Sequence, residues 1–208
     1  MPKHIVKQGE HLVGIATSYH FLNYKKIWED SNNTELKKSR KNPNILFPGD
    51  QIYLPEYITN TIDITTEQRH RFIVKKVPLS INIVIKNEDN APISNTECSI
   101  TIEEKKFSHI TDIEGKIIQP ISHKITKGTL AIFDTQYDLL IGSLDPITEV
   151  SGQKERLINL GYYPDNNDKE SDQSFLSAVE EFQCDNNLFV DGICGPKTQA
   201  KIVKIYGC

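Results

Sequence analysis

The side chains best suited to metal binding or nucleophilic chemistry are six histidines (His4, His11, His20, His70, His109 and His123) and four cysteines (Cys98, Cys184, Cys194 and Cys208). Their spacing argues against both chemistries. No two histidines stand at metal-ligand spacing and no Cys-x-x-C occurs, so neither a zinc site nor a thioredoxin-like site is expected. Cys98 could be drawn as a thiol–imidazole pair with His109, but it falls in an alternating apolar run that turns it inward, where a thiol is inert. No serine sits on a nucleophile-elbow pattern. Glu103-Glu104 and Glu180-Glu181 are adjacent pairs whose side chains diverge, so they cannot act jointly as acid and base. The acidic run 164–172 lacks the glycine of a calcium loop. The residues predict no enzyme, no metal site and no cofactor. Three cysteines in the last quarter would permit one disulfide in an oxidising space; otherwise the thiols are idle.

What the residue types do offer is fixed backbone geometry in the stretch 42–55. Pro43, Pro48 and Gly49 make a rigid turn, because proline fixes φ and glycine accepts positive φ. Asn42 and Asn44 can close turns on their own backbone. Ile52 and Leu54 then alternate with Gln51 and Tyr53 as a short strand that Pro55 ends. A stiff loop of this kind holds N–H and C=O groups in set directions, which suits a polar polymer such as a glycan.

Composition bounds the reading. The chain has 208 residues with 38% hydrophobic and 8% aromatic content, which is lean for one large domain and adequate for two or three small cores. The net charge of −4 gives no electrostatic case for nucleic acid. No run approaches the roughly 20 apolar residues of a spanning helix, so membrane insertion is not expected. The first residues carry no apolar core of a secretory signal, which predicts synthesis in the cytoplasm and, if the protein leaves, delivery to the periplasm or a target cell by a secretion machine. Residues 1–56 hold eight basic and six acidic groups, and residues 149–208 hold six and ten. Ends of opposite sign suggest two different contact surfaces.

The positioning elements follow from period. In residues 1–56, a strand at His4 to Lys7 is followed by apolar residues at helical spacing (Leu12, Ile15, Ala16, Tyr19), then by a second helix over about 24–31 with Ile27 and Trp28 inward. The basic stretch 34–41 reads as a solvated charged loop. Residues 57–146 begin with a polar linker and change to period two: Leu79, Ile81, Ile83 and Ile85 share one face, as do Cys98, Ile100 and Ile102, with shorter runs at 107–110, 116–118, 129–133 and 137–141. That spacing predicts a small antiparallel sandwich. Residues 147–208 read as three helices. Val150, Leu157, Ile158 and Leu160 serve the first; Phe175, Ala178, Val179 and Phe182 the second, capped by Ser171; and Ala200, Ile202, Val203 and Tyr206 the third, which starts at Pro196.

Three resemblances rest on these residues. His4-Ile-Val-Lys-Gln-Gly-Glu-His-Leu12, Ile15-Ala16, Ile27-Trp28, Asn33 and Pro48-Gly-Asp-Gln-Ile-Tyr-Leu-Pro55 resemble a lysin-motif (LysM) domain of strand–helix–helix–strand form. Such domains bind the N-acetylglucosamine chains of peptidoglycan or chitin. The resemblance implies a groove formed by Gly9, Glu10, His11 and Leu12 with Asn44, Ile45, Leu46 and Phe47; Glu10-His11 stands where the family commonly has Asp-Thr. The middle unit is similar to immunoglobulin-like spacers through the segment 111–117 and Pro120. Leu157-Ile-Asn-Leu-Gly-Tyr-Tyr163, Ala178-Val-Glu-Glu-Phe-Gln183 and Val190-Asp-Gly-Ile-Cys-Gly-Pro-Lys-Thr198 resemble the three-helix peptidoglycan-binding domain and imply contacts at Tyr162, Tyr163, Asp191 and Gly192.

The expected fold is therefore multidomain α+β: a LysM unit, an immunoglobulin-like antiparallel sandwich and an all-α three-helix module. The whole order, with the stretches 40–50, 70–75 and 142–152, is also similar to proteins associated with type VI secretion spikes and their effectors. The expected function is non-catalytic binding of peptidoglycan glycan strands by an accessory or adaptor of such a spike or effector. The alternatives are an assembly adaptor that uses its end modules for protein contacts only, or a secreted effector component.

Overall fold

The computed structural model describes residues 2–56, 63–71, 79–163 and 172–208. It contains helices and antiparallel sheets, in keeping with an α+β chain that ends in a helical module.

The first unit pairs β1 (Lys3–Ile5) antiparallel with β2 (Gln51–Tyr53), Lys3 opposite Tyr53. Between them lie α1 (Leu12–Ser18), α2 (Lys25–Trp28), a 3-10 turn (Ser31–Asn33) and α3 (Thr34–Arg40). Helix α1 starts because His11 is extended and its ring Nδ1 accepts the Gly14 N–H. It stops because His20 takes φ 64° and the Phe21 N–H turns back to the Ala16 carbonyl, which buries Phe21. The expected helix over 24–31 ends early, at Trp28, and Asp30 caps the following turn through the Asn32 N–H. Buried Asn33 then donates to the Ile27 and Tyr53 carbonyls and accepts the Tyr53 N–H, tying the helical segment to β2. The core of this unit comprises Val6, Leu12, Ile15, Ala16, Phe21, Ile27, Trp28, Leu46, Ile52 and Leu54.

The basic stretch 34–41 is a correction: it is largely the helix α3, not a loop. Glu35 in its first turn and Lys37, Lys38 and Arg40 toward its end complement the helix dipole. Glu35 also pairs with Lys38 at 2.7 Å, and Leu36 packs on the core. The side chains of Lys37 and Lys38 are solvated as expected.

The middle unit has six strands among the described residues. β3 (Leu79–Val84) pairs with β6 (Lys116–Ile121) in one sheet. The second sheet runs β5 (Lys105–Ile110), β4 (Glu97–Ile102), β7 (Lys127–Ile132), β8 (Thr135–Leu140), all antiparallel. The register sets Ile100 beside Leu130 and Cys98 beside Ile132. These side chains meet Ile81, Ile83 and Ile117 of the other sheet in one core. The expected linker residues 57–62, and most of the stretch 70–75, lie outside the described residues.

The last unit is α4 (Val150–Asn159), α5 (Asp172–Asp185) and α6 (Pro196–Tyr206) around Leu157, Ala178, Val179, Phe182 and Ile202. Pro196 opens α6, and Gly161 at φ 87° follows α4. Two expected inward residues are exposed: Val150 lies in the first turn of α4, before the packed face, and Ala200 points to solvent while Thr198 is buried in its stead. Arg156 is buried; it donates to the Asp145, Gly152 and Cys208 backbone oxygens and lies over the Tyr206 ring, which joins α4 to the end of α6. The expected Ser171 cap and the acidic run 164–171 lie outside the described residues.

Candidate functional site

The N-terminal candidate residues sit on two loops that the fold brings together. The Leu12 N–H donates to the Pro43 carbonyl at 3.0 Å, so loop 9–12 touches loop 42–47 directly. The second loop is as stiff as its sequence predicts. Asn42 Oδ1 accepts the Asn44 N–H at 2.9 Å, Asp50 Oδ2 accepts the Phe47 N–H at 2.9 Å, and Gly49 takes φ 96°.

The eight predicted groove residues divide by burial. Leu12, Ile45 and Leu46 are 0%, 8% and 6% exposed, so their side chains are interior, and the Leu12 and Ile45 N–H groups are donated to the Pro43 and Asn42 carbonyls. Each is apolar, and the small unit needs them inside. Asn44 is exposed, and Gly9, Glu10, His11 and Phe47 are half-buried.

Glu10 and His11 are already engaged. Glu10 Oε2 lies 2.7 Å from His4 Nε2 and accepts the Lys7 N–H at 2.9 Å. Burial pushes its carboxyl up, but those bonds and the nearby charges of His4 and Lys7 outweigh burial and leave it below the usual carboxylate range. His4 Nδ1 in turn meets the Tyr19 hydroxyl at 3.2 Å. His11 accepts at Nδ1, so its proton is on Nε2, which donates to the His123 carbonyl at 3.2 Å. Burial holds the His11 ring below its ordinary value.

His123 belongs to the middle unit, and it is not the only distant segment at this place. Arg40, at the end of α3, forks onto Asp50 at 2.8 and 3.0 Å with both side chains about one-eighth exposed. Its guanidinium carbon lies 5.6 Å from the Phe47 ring centre. Its third nitrogen reaches Thr148 Oγ1 at 3.3 Å and Glu149 at 3.6 Å. Gly142 stands so close that a Cβ on it would lie 3.5 Å from the Gly9 carbonyl oxygen. Arg40, His123, Gly142, Thr148 and Glu149 were not among the expected site residues. Their partners are far apart in the chain, so no local pattern marks them.

The C-terminal candidates separate into two places. Tyr162 and Tyr163 line a cleft of about 450 Å³ together with Gln173, Ser174, Ser177 and Glu181 of α5. Tyr162 packs edge-on against Phe182 at 5.2 Å; burial and the Asp185 charge push its phenol up. Tyr163 is pushed up to about 12 by burial, and its buried hydroxyl has no hydrogen-bond partner among the described residues. A wall of tyrosines beside serine, glutamine and glutamate side chains offers apolar faces and hydrogen-bonding groups to a polyhydroxylated ligand.

Asp191 and Gly192 do not line that cleft. Their turn is held from inside by Gln183, whose Oε1 accepts both N–H groups at 3.0 Å. Gln183 Nε2 donates to Asp191 Oδ1, and that oxygen also accepts the Ile193 N–H at 2.9 Å. The Ile193 N–H first, and then the Gln183 amide, lower the Asp191 carboxyl. Gly192, at φ 68°, lies against Leu176 and Glu180. Both residues thus maintain the turn.

Among the described residues no group of three His, Cys, Asp or Glu side chains could hold a metal ion, and no helix is long and apolar enough to cross a membrane. No curated protein and no solved structure matches the chain. Residues 148–202, from the residue before the Glu149 cap through α4 and α5 to Ile202 in α6, match the family model of a peptidoglycan binding domain.

Proposed function

We propose that this protein binds the glycan strands of peptidoglycan without transforming them. The observation that carries the reading is the family match of residues 148–202, a binding domain, over the module that holds the tyrosine cleft. Tyr162 and Tyr163 supply ring faces for sugar C–H groups, and Gln173, Ser177 and Glu181 beside them supply hydrogen-bonding groups. The N-terminal unit, read as a LysM domain, is the second glycan-binding element, and the sandwich lies between the two in the chain. Weak sites joined in one chain reinforce each other through effective concentration.

The test is co-sedimentation of the full chain with insoluble peptidoglycan. Wild type is retained, and Ser177→Ala combined with Glu181→Gln, which alters two exposed hydrogen-bonding groups of the cleft wall, lowers the affinity by about 2- to 10-fold, the range of one net hydrogen bond. Wild type left wholly in the supernatant would sink the reading.

A second reading is favoured by one observation. The loop face of the N-terminal unit touches protein: its own residues 123, 142, 148 and 149. A module that can hold protein on that face suits an adaptor of a contractile injection spike or of an effector that such a spike delivers. Co-purification with a spike or effector protein supports this reading, and recovery from machine-bearing cells with no partner at all counts against it.

A further inference from the structure

Three separate segments converge on the mouth formed by loops 9–12 and 42–47. The β6–β7 connection contributes the His123 carbonyl to His11. The turn after β8 contributes Gly142 against Gly9. The approach to α4 contributes Thr148 and Glu149 to Arg40. On the other side of these contacts stand four residues of the two loops or their immediate neighbours: Gly9, His11, Phe47 through its stacked Arg40, and Asp50 through the Arg40 fork.

We propose that this is an autoinhibitory contact: the rest of the chain closes the ligand face of the N-terminal unit, and a glycan and the chain's own segments compete for it. The proposal rests on the glycan reading of that unit. The physical basis is that the polar groups of the mouth are spoken for. The His11 Nε2–H is donated to His123, Nδ1 is used for the α1 cap, and Glu10 is occupied by His4 and the Lys7 N–H. A ligand that needs the His11 donor must first release His123.

The ligand-competent form is then only the open fraction, and the apparent affinity is lowered by that fraction. Among the described residues, two hydrogen bonds, one ion pair and the approach of Gly142 to Gly9 join the mouth to these segments. The two Arg40 reaches, at 3.3 and 3.6 Å, are longer than its fork to Asp50. The clasp therefore releases across Thr148 and Glu149 while Arg40 stays on Asp50, so the loop keeps its shape when the mouth opens.

Charge reversal at Glu149 tests this. Its side chain makes no capping bond to α4, so Glu149→Arg sets two cations face to face without removing a cap. Thr148→Ala combined with Glu149→Gln removes the same attraction without adding charge, should the reversal unsettle α4. The readouts on the full chain are the maximum dimension by small-angle scattering and the affinity for a soluble N-acetylglucosamine oligomer. The expected result is a longer particle for both variants, oligomer binding tighter by about tenfold, and elongation of wild type when the oligomer is added. Wild type that binds as tightly as the elongated variants would overturn the autoinhibition and leave the glycan reading intact. Elongated variants that still fail to bind would overturn the glycan reading of this unit and the competition with it. Variants as compact as wild type would show that Thr148 and Glu149 hold nothing closed.

Discussion

A single buried amide shows how polar residues shape the C-terminal module. Gln183 is 1% exposed, and its Nε2 hydrogens face Asp191 Oδ1, the Ile193 carbonyl and Thr198 Oγ1, while Oε1 takes two backbone N–H groups. Gln183→Ala removes a fully buried side chain and the bonds it makes to the 191–193 turn and Thr198, and is expected to lower stability by about 2–4 kcal/mol, read as a shift in the urea midpoint. An unchanged midpoint would mean that the 191–193 turn holds itself. The family resemblance implies Asp191 and Gly192 as ligand contacts, but an Asp-Gly turn looks the same in sequence whether it meets a ligand or a glutamine behind it. The identity of the turn was legible; its partner was not. The same holds for Glu10 and His11, which look free in sequence and are committed in space.

Elements with a clean period were the most legible. Alternation placed Leu79, Ile81 and Ile83 on one side of β3, and the register of β4 on β7 agrees with the inward set Cys98, Ile100 and Ile102. Helix α3 was missed because it carries one apolar residue, Leu36, and its stability comes from charge order and from Arg40 docking rather than from a stripe. Helix α4 was found, but not what sets its angle. A Cβ on Gly152 would overlap the Pro146 and Asp145 carbonyl oxygens, so α4 packs this tightly on the preceding turn only with glycine there. Gly152→Ala is expected to cost about 1–3 kcal/mol and to loosen this module first. Trp28, the one tryptophan, lies in the N-terminal core. Circular dichroism should therefore fall at a lower temperature than tryptophan fluorescence changes, and coincident transitions would refute a local effect.

At the scale of the whole molecule, the burial of His11, and not its bond to the His123 carbonyl, makes the fold sensitive to acid; that bond survives protonation and favours the charged ring. The folded chain favours the neutral His11 ring, because burial disfavours its charge and a second ring proton would face the Gly14 N–H. The stability this preference lends is full above the ordinary value of 6.5 and is lost as pH falls from there toward the lower folded value. Glu10 acts in the same sense at lower pH: its contribution is present above 4.5 and lost as its carboxyl protonates. The thermal midpoint of wild type is expected to drop as pH is lowered from about 7 to about 5.5, and His11→Gln should flatten that part of the profile. Equal slopes in the two proteins would assign the drop to other groups.

Glu149, at the clasp, is also the residue from which α4 springs, and Tyr162 stands just beyond the far end of that helix. A ten-residue helix is a stiff rod about 15 Å long. Any swing that frees Glu149 is therefore carried along the rod to the tyrosines. The gap between loops 9–12 and 42–47 and the tyrosine cleft then depends on whether Arg40 holds Glu149, and the molecule works as a caliper whose jaws part when that contact lets go.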